Sequence, residues 1–197
     1  MKKAIVFLSV FLLALPLFSC AREPSGTLPA ADAVLPAEEA LKAAKKDDVV
    51  VVEDARCTSG KKLMDAFYAK VEEKTPASVV CAYFRTLKKE SVSEELYERE
   101  KSRYPQMTFY RITFDGETFT VTTRLSTQEK ADSGQTYRYL LHMTGDMPST
   151  AIYSTYDHYV LVDDPEATWE KIWAGLLSSH SEAPKYRHLA VYMTCAE

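Results

Sequence analysis

The side chains of this 197-residue chain best suited to chemistry are its four histidines, His142, His158, His180 and His188, and its four cysteines, Cys20, Cys57, Cys81 and Cys195. None falls in a pattern that a reaction demands. There is no Cys-x-x-Cys and no His-Glu-x-x-His, and the histidine spacings match no metal-ligand set. Neither a Gly-x-Ser-x-Gly elbow nor a phosphate-cradling glycine loop is present. Triad members meet in space rather than in sequence, so Asp157-His158 is the pair to inspect for two members of a dispersed triad, although ordinary strand residues are the commoner outcome. His188 and Cys195 do not suit a base and nucleophile: on one strand they face opposite sides and lie about 23 Å apart. Glu94, Glu95, Glu98 and Glu100 form an acidic cluster, but on a helix they spread around it as a solvated face instead of converging as calcium ligands do. Asp163-Asp164 is better explained by helix capping than by a metal. No catalytic residue, metal ligand or cofactor is assigned.

Aromatic side chains offer binding chemistry instead. Of 12 tyrosines, Tyr137, Tyr139, Tyr153, Tyr156 and Tyr159 crowd two late strands. Bare on a sheet, such rings stack on sugars or grip a protein partner. Strand alternation sends about half of them to the core, so the five are a candidate surface of which part must be structural. Trp169 and Trp173 fall on a helical core stripe and are assigned to packing.

The N-terminus carries an address. Lys2 and Lys3 precede an apolar run from Ala4 to Phe18, broken by Ser9 and Pro16. The run suits the h-region of an export signal and is shorter than the roughly 20 residues a spanning helix needs. It ends in Leu17-Phe18-Ser19-Cys20, which resembles the lipobox of bacterial lipoproteins, with Phe18 bulkier than the usual residue there. The resemblance implies cleavage after Ser19 and acylation of Cys20, hence a cell-membrane anchor on the extracytoplasmic face. Three cysteines then remain, enough for one intramolecular disulfide. Cys81 and Cys195 sit in apolar strand-like runs and are the favoured pair, with three reduced, buried thiols as the equal alternative. The net charge is −4, more negative once Lys2 and Lys3 are removed, and no basic run is present, which argues against nucleic acid.

Three segments follow: a signal at 1–19, a lipidated N-terminus and tether at 20–47 rich in Ala, Pro, Glu and Lys, and one domain at 48–197, large enough for a full core. Leu35 to Lys46 has room for a brief helix. Val49–Val52 reads as a strand. Thr58 or Ser59 then caps a helix with Leu63, Phe67 and Val71 on one stripe. Ala77–Phe84 is apolar on both faces and therefore central in a sheet. Lys88–Arg103 is a charged surface excursion, with capping-box spacing at Ser91 and Glu94. Asp115-Gly116 predicts a two-residue hairpin turn that sets Ile112 opposite Phe119 and Phe114 opposite Glu117. Strands at 136–144 and 150–162 follow. Asp164 and Pro165 then open a helix whose stripe is Trp169, Ile172, Trp173, Leu176 and Leu177. A strand at 186–195 closes the chain. This order predicts an α+β fold: a mainly antiparallel sheet with two amphipathic helices on one face.

The helix at 63–71, the strand Val79-Val80-Cys81-Ala82-Tyr83, the run Phe109-x-x-Ile112-x-Phe114-Asp115-Gly116-x-x-Phe119 and the late Cys195 are similar to small bacterial lipoproteins that share a domain of unknown function. That resemblance implies architecture and no catalytic residues. The leading functional expectation is a membrane-tethered, non-catalytic domain that binds an envelope protein or glycan. An envelope hydrolase and a small-ligand carrier are the rivals. The first needs convergent titratable groups, the second a sizeable apolar pocket.

Overall fold

The computed structural model describes residues 29–147, 153–178 and 185–196. The signal at 1–19, Cys20, His180 and the start of the strand expected at 150 lie outside them.

The stretch read as a tether contains α1 (Ala37–Ala44), and its described part is packed rather than loose. Ala30, Ala31, Ala37, Ala40 and Ala44 are buried against Val49, Val51, Ala82, Phe84, Met107 and Phe109. The domain therefore begins well before residue 48. β1 (Val50–Glu53) reverses at once into β2 (Arg56–Ser59), a strand not expected. Asp54 and Ala55 both take positive φ, 42° and 69°, as a two-residue hairpin turn of the I′ type requires. Without the Asn-Gly signal this turn escapes pattern reading, and Thr58 and Ser59 become strand residues. Gly60, with φ 77°, starts α2 (Lys61–Glu72) in their place.

Next come β3 (Ala77–Arg85), a short α3 (Glu94–Glu100) with no buried residue, β4 (Gln106–Phe114), β5 (Phe119–Leu125) and β6 (Gln135–Tyr137). Ser93 rather than Ser91 caps α3, accepting the Leu96 N–H at 3.3 Å. The six strands form one sheet, ordered β2-β1-β3-β4-β5-β6, with only β1 and β3 parallel. The β4–β5 loop is longer than predicted: Phe114 pairs with Phe119 and Ile112 with Val121. The Asp115 carboxylate accepts the Glu117 and Thr118 N–H groups at 2.8 and 2.7 Å, which stabilises residues 115–118 as a loop. The register thus differs by two residues from expectation. A shift of two keeps every side chain on its face, so Ile112, Phe114, Phe119 and Val121 still point to the core.

The strand expected at 136–144 is two strands. Tyr137 ends β6 in the large sheet, whereas Tyr139 begins β7 (Tyr139–Asp146), and the chain changes sheets at Arg138. β7, β8 (Thr155–Val162) and β9 (His188–Ala196) make a second, antiparallel sheet. Its inner face (Leu140, Tyr159, Leu161, Val191 and Tyr192) closes over α2 and the six-stranded sheet in the main core. α4 (Trp169–Leu177) covers its outer face. The α+β class and the antiparallel bias hold. The helices, however, do not share one face: α1 lies on one side of the large sheet, α2 on the other, and α4 beyond the small sheet. α4 also starts later than Asp164 and Pro165 suggest. Asp164 accepts the Glu166 N–H at 2.9 Å in a turn, and Thr168 is the cap, accepting from Lys171 N–H at 3.3 Å.

Candidate functional site

Where the small sheet leaves the main core, its inner face turns polar. Strand alternation places His142 and Asp157 on that face, on neighbouring strands and two residues out of register. His142 Nε2–H donates to Asp157 Oδ1 at 2.8 Å. Gly60 sets the first turn of α2 against this edge, bringing Lys61 to 3.6 Å from Asp157 Oδ2 and 2.8 Å from Asp65 Oδ1. The Tyr159 hydroxyl donates to Asp65 Oδ1 at 3.2 Å. The His142 ring stacks on Tyr159 with centroids 4.2 Å apart, and Tyr68 meets both rings edge-on. The hydrogen bond to Asp65 raises the Lys61 pKa, and burial raises that of Tyr159.

An imidazole oriented by a carboxylate is half of a proton-transfer device. Here the other half does not arrive: among the described residues no serine, threonine or cysteine hydrogen-bonds to His142, and no group of three metal-capable side chains forms. The cluster instead ties the start of α2 to the small sheet. Asp157 and His158, singled out as a pair in sequence, point to opposite faces of β8 and do not cooperate. His142 on the next strand takes the place of His158, and the cross-strand register that pairs them is not a sequence signal.

His158 faces α4. It is 1% exposed, and neither ring nitrogen has a hydrogen-bond partner. The Trp169 ring stands edge-on at 4.4 Å and the Tyr156 ring lies 5.0 Å away. Burial pushes the His158 pKa down to about 4. Burial also pushes Tyr156 up to about 12, helped by its hydroxyl donating to Glu170 Oε1 at 3.0 Å.

The proposed tyrosine surface does not assemble. Tyr137 and Tyr159 are buried in the main core and Tyr156 in the core under α4; Tyr153 is half-buried, and only Tyr139 is exposed. The split at Arg138 and the burial of both faces of the small sheet are the reason. Nor do Cys81 and Cys195 pair: all three described cysteines are free thiols. Cys81 is fully buried between the two sheets, its Sγ 4.0 Å from Met64 Sδ, whereas Cys195 packs against the core on the far side of the small sheet.

α4 carries the feature that the sequence reading assigned to packing. Of its stripe only Ile172 is buried. Trp169 is half-buried, while Trp173, Leu176 and Leu177 are 44%, 59% and 69% exposed. The cause is the width of the support. Three strands and a short helix leave room to cover Ala167, Trp169 and Ile172 but not the next turn. Trp173 stacks on Trp169 with centroids 6.2 Å apart, which continues the apolar surface outward from the core. Two open clefts among the described residues, by contrast, are edged by charge: Glu38 and Lys101 in one of about 330 Å³, Asp32, Arg111 and Glu129 in one of about 280 Å³. Neither is the enclosed apolar pocket that a small-ligand carrier needs.

Comparison with protein-family models, with curated proteins and with solved structures finds no match, so the functional reading rests on the chain's own residues.

Proposed function

We propose that this chain is a lipid-anchored, extracytoplasmic binding domain that holds an envelope protein through the outer face of α4. The observation that carries the reading is the exposure of Trp173, Leu176 and Leu177 on consecutive turns of one helix. Burying a tryptophan or leucine is worth about 1.5–3 kcal/mol, so leaving three of them in water is a cost that a partner removes. Leucine side chains offer no hydrogen bonds to sugar hydroxyls, and the tyrosines that suited a glycan are largely inside, so a protein partner fits better. A hydrolase would draw on His142 and Asp157, but that pair is spent on holding α2.

A photo-crosslinking side chain at Ala174, beside the patch, is expected to trap a discrete adduct in intact cells. Trp173→Ala should weaken the contact by about 2 kcal/mol, roughly 30-fold, as truncated interface tryptophans do. An adduct pattern unchanged in Trp173→Ala with Leu177→Glu, in a folded protein, would sink the reading.

The membrane anchor rests on the lipobox at 17–20. Cells fed a fatty-acid analogue should label the wild-type chain and not Cys20→Ala. Equal labelling of both, or of neither, removes the anchor. Among the described residues no helix is long and apolar enough to cross a membrane.

A further inference from the structure

We propose that α4 is an acid-released latch: it stays docked on the small sheet only while the buried His158 imidazole beneath it is uncharged. The geometry leaves no way to accommodate a proton there. His158 is 1% exposed, with the Trp169 ring edge-on at 4.4 Å and the Tyr156 ring 5.0 Å away, and among the described residues neither of its nitrogens has an acceptor. A charged imidazole would need two acceptors or water, and an unpaired buried charge is strongly destabilising.

Among the described residues the surrounding groups do not supply a partner. On β8 itself, Asp157 points to the opposite face, engaged with His142 and Lys61. On β7 and β9 the cross-strand neighbours are Met143 and Met193. Asp146 ends β7 nearer Tyr156, and the Cys195 thiol on β9 is kept protonated by burial. On α4, Glu170 accepts the Tyr156 hydroxyl, and Lys171 donates to the Glu166 carbonyl at 2.7 Å. Tyr186 closes the same core with a phenol, and His188 engages the Tyr186 carbonyl through Nδ1 at 2.8 Å.

Of the helices that cover a core, the one above His158 has the fewest fully buried residues. α4 buries only Ile172 fully and turns three large apolar side chains outward. Lifting it lets water reach His158, whereas unfolding the sheets is not required.

The direction follows from linkage. The closed form binds the proton with a pKa of about 4, against about 6.5 for a hydrated histidine. The open form therefore takes up the proton first as pH falls. Opening becomes easier between pH 6.5 and 4 and is insensitive to pH above and below that window. The opening constant should rise about 20-fold from pH 7 to pH 5.

The test is amide hydrogen exchange on the domain, corrected for intrinsic rates, at pH 7 and pH 5. Protection across Ile172–Ser178 should fall about 20-fold in the wild type, while β8 and β9 hold theirs. His158→Phe removes the proton site and should flatten the response. His158→Leu serves if phenylalanine does not fit. Unchanged α4 protection, an equal fall in β8 and β9, or an equal fall in the substituted proteins would each overturn the latch. That acid alters partner contact rests additionally on the reading of α4 as the contact face. No partner enters the exchange measurement, so its failure and a failed cross-linking experiment are distinguishable.

Discussion

Arg124→Met is expected to destabilise the domain by about 4 kcal/mol and to free the segment that precedes β1. Arg124 is buried on β5 and acts as a hub for main-chain carbonyls, forming no ion pair among the described residues. Its Nε and Nη2 donate to the Ala31 carbonyl at 3.0 and 2.7 Å, Nη2 also to Ala33 at 2.9 Å, and Nη1 to Gln128 at 2.6 Å. The guanidinium lies over the Phe109 ring, 5.5 Å from its centroid. Methionine keeps most of the aliphatic volume but leaves these oxygens without donors, at about 1–3 kcal/mol for each that water does not reach. Arg124→Lys should recover less than half of the loss, since a single ammonium cannot span acceptors on both sides. Urea midpoints measure the stability, and limited proteolysis between residues 29 and 47 reports the segment. A loss below about 1 kcal/mol, or full recovery by lysine, would show that the carbonyl hub is incidental.

That hub also explains which parts of the architecture were legible in sequence. The segment before β1 reads as a tether because its buried positions, Ala37, Ala40 and Ala44, are small: a helix that approaches a sheet closely through alanine leaves no hydropathy stripe of large residues. Arg124 likewise reads as the polar end of a strand. Patterns of bulky side chains were legible. The Leu63, Phe67 and Val71 stripe lies on α2, and the doubly apolar β3 is central, flanked by β1 and β4. What alternation does not encode is which sheet a strand joins. Residues 136–144 read as one continuous strand, yet the chain changes sheets at Arg138, and the three-stranded support that results is what exposes Trp173, Leu176 and Leu177. The candidate site was illegible for the same reason. His142 and Asp157 meet across a register, and Lys61 reaches them from a helix that packs on a different sheet.

The second large effect is predicted at the residue that aims that helix. Gly60 has φ 77° and sits where a Cβ would lie 2.4 Å from the Val49 carbonyl oxygen and 2.9 Å from Val50 Cα. Those are backbone atoms at the start of β1, which is paired with β2 on one side and β3 on the other, so they cannot retreat. Gly60→Ala therefore combines a left-handed conformation, about 1–2 kcal/mol for a residue with a side chain, with an overpacked contact of about 1–3 kcal/mol. The expected total is about 4 kcal/mol, or a fall in Tm of roughly 8–16 °C for a domain of this size. Gly116→Ala is the control. It also has positive φ, 108°, but its nearest neighbour is the Lys74 carbonyl oxygen at 3.4 Å, an ordinary contact in an exposed loop, so it should cost about 1–2 kcal/mol. Equal losses at the two glycines would mean that backbone conformation alone matters and that the wall of β1 does not. A larger loss at Gly60 would identify the close approach as what fixes the first turn of α2, and with it the reach of Lys61 to Asp157, the contact that joins the helix to the small sheet.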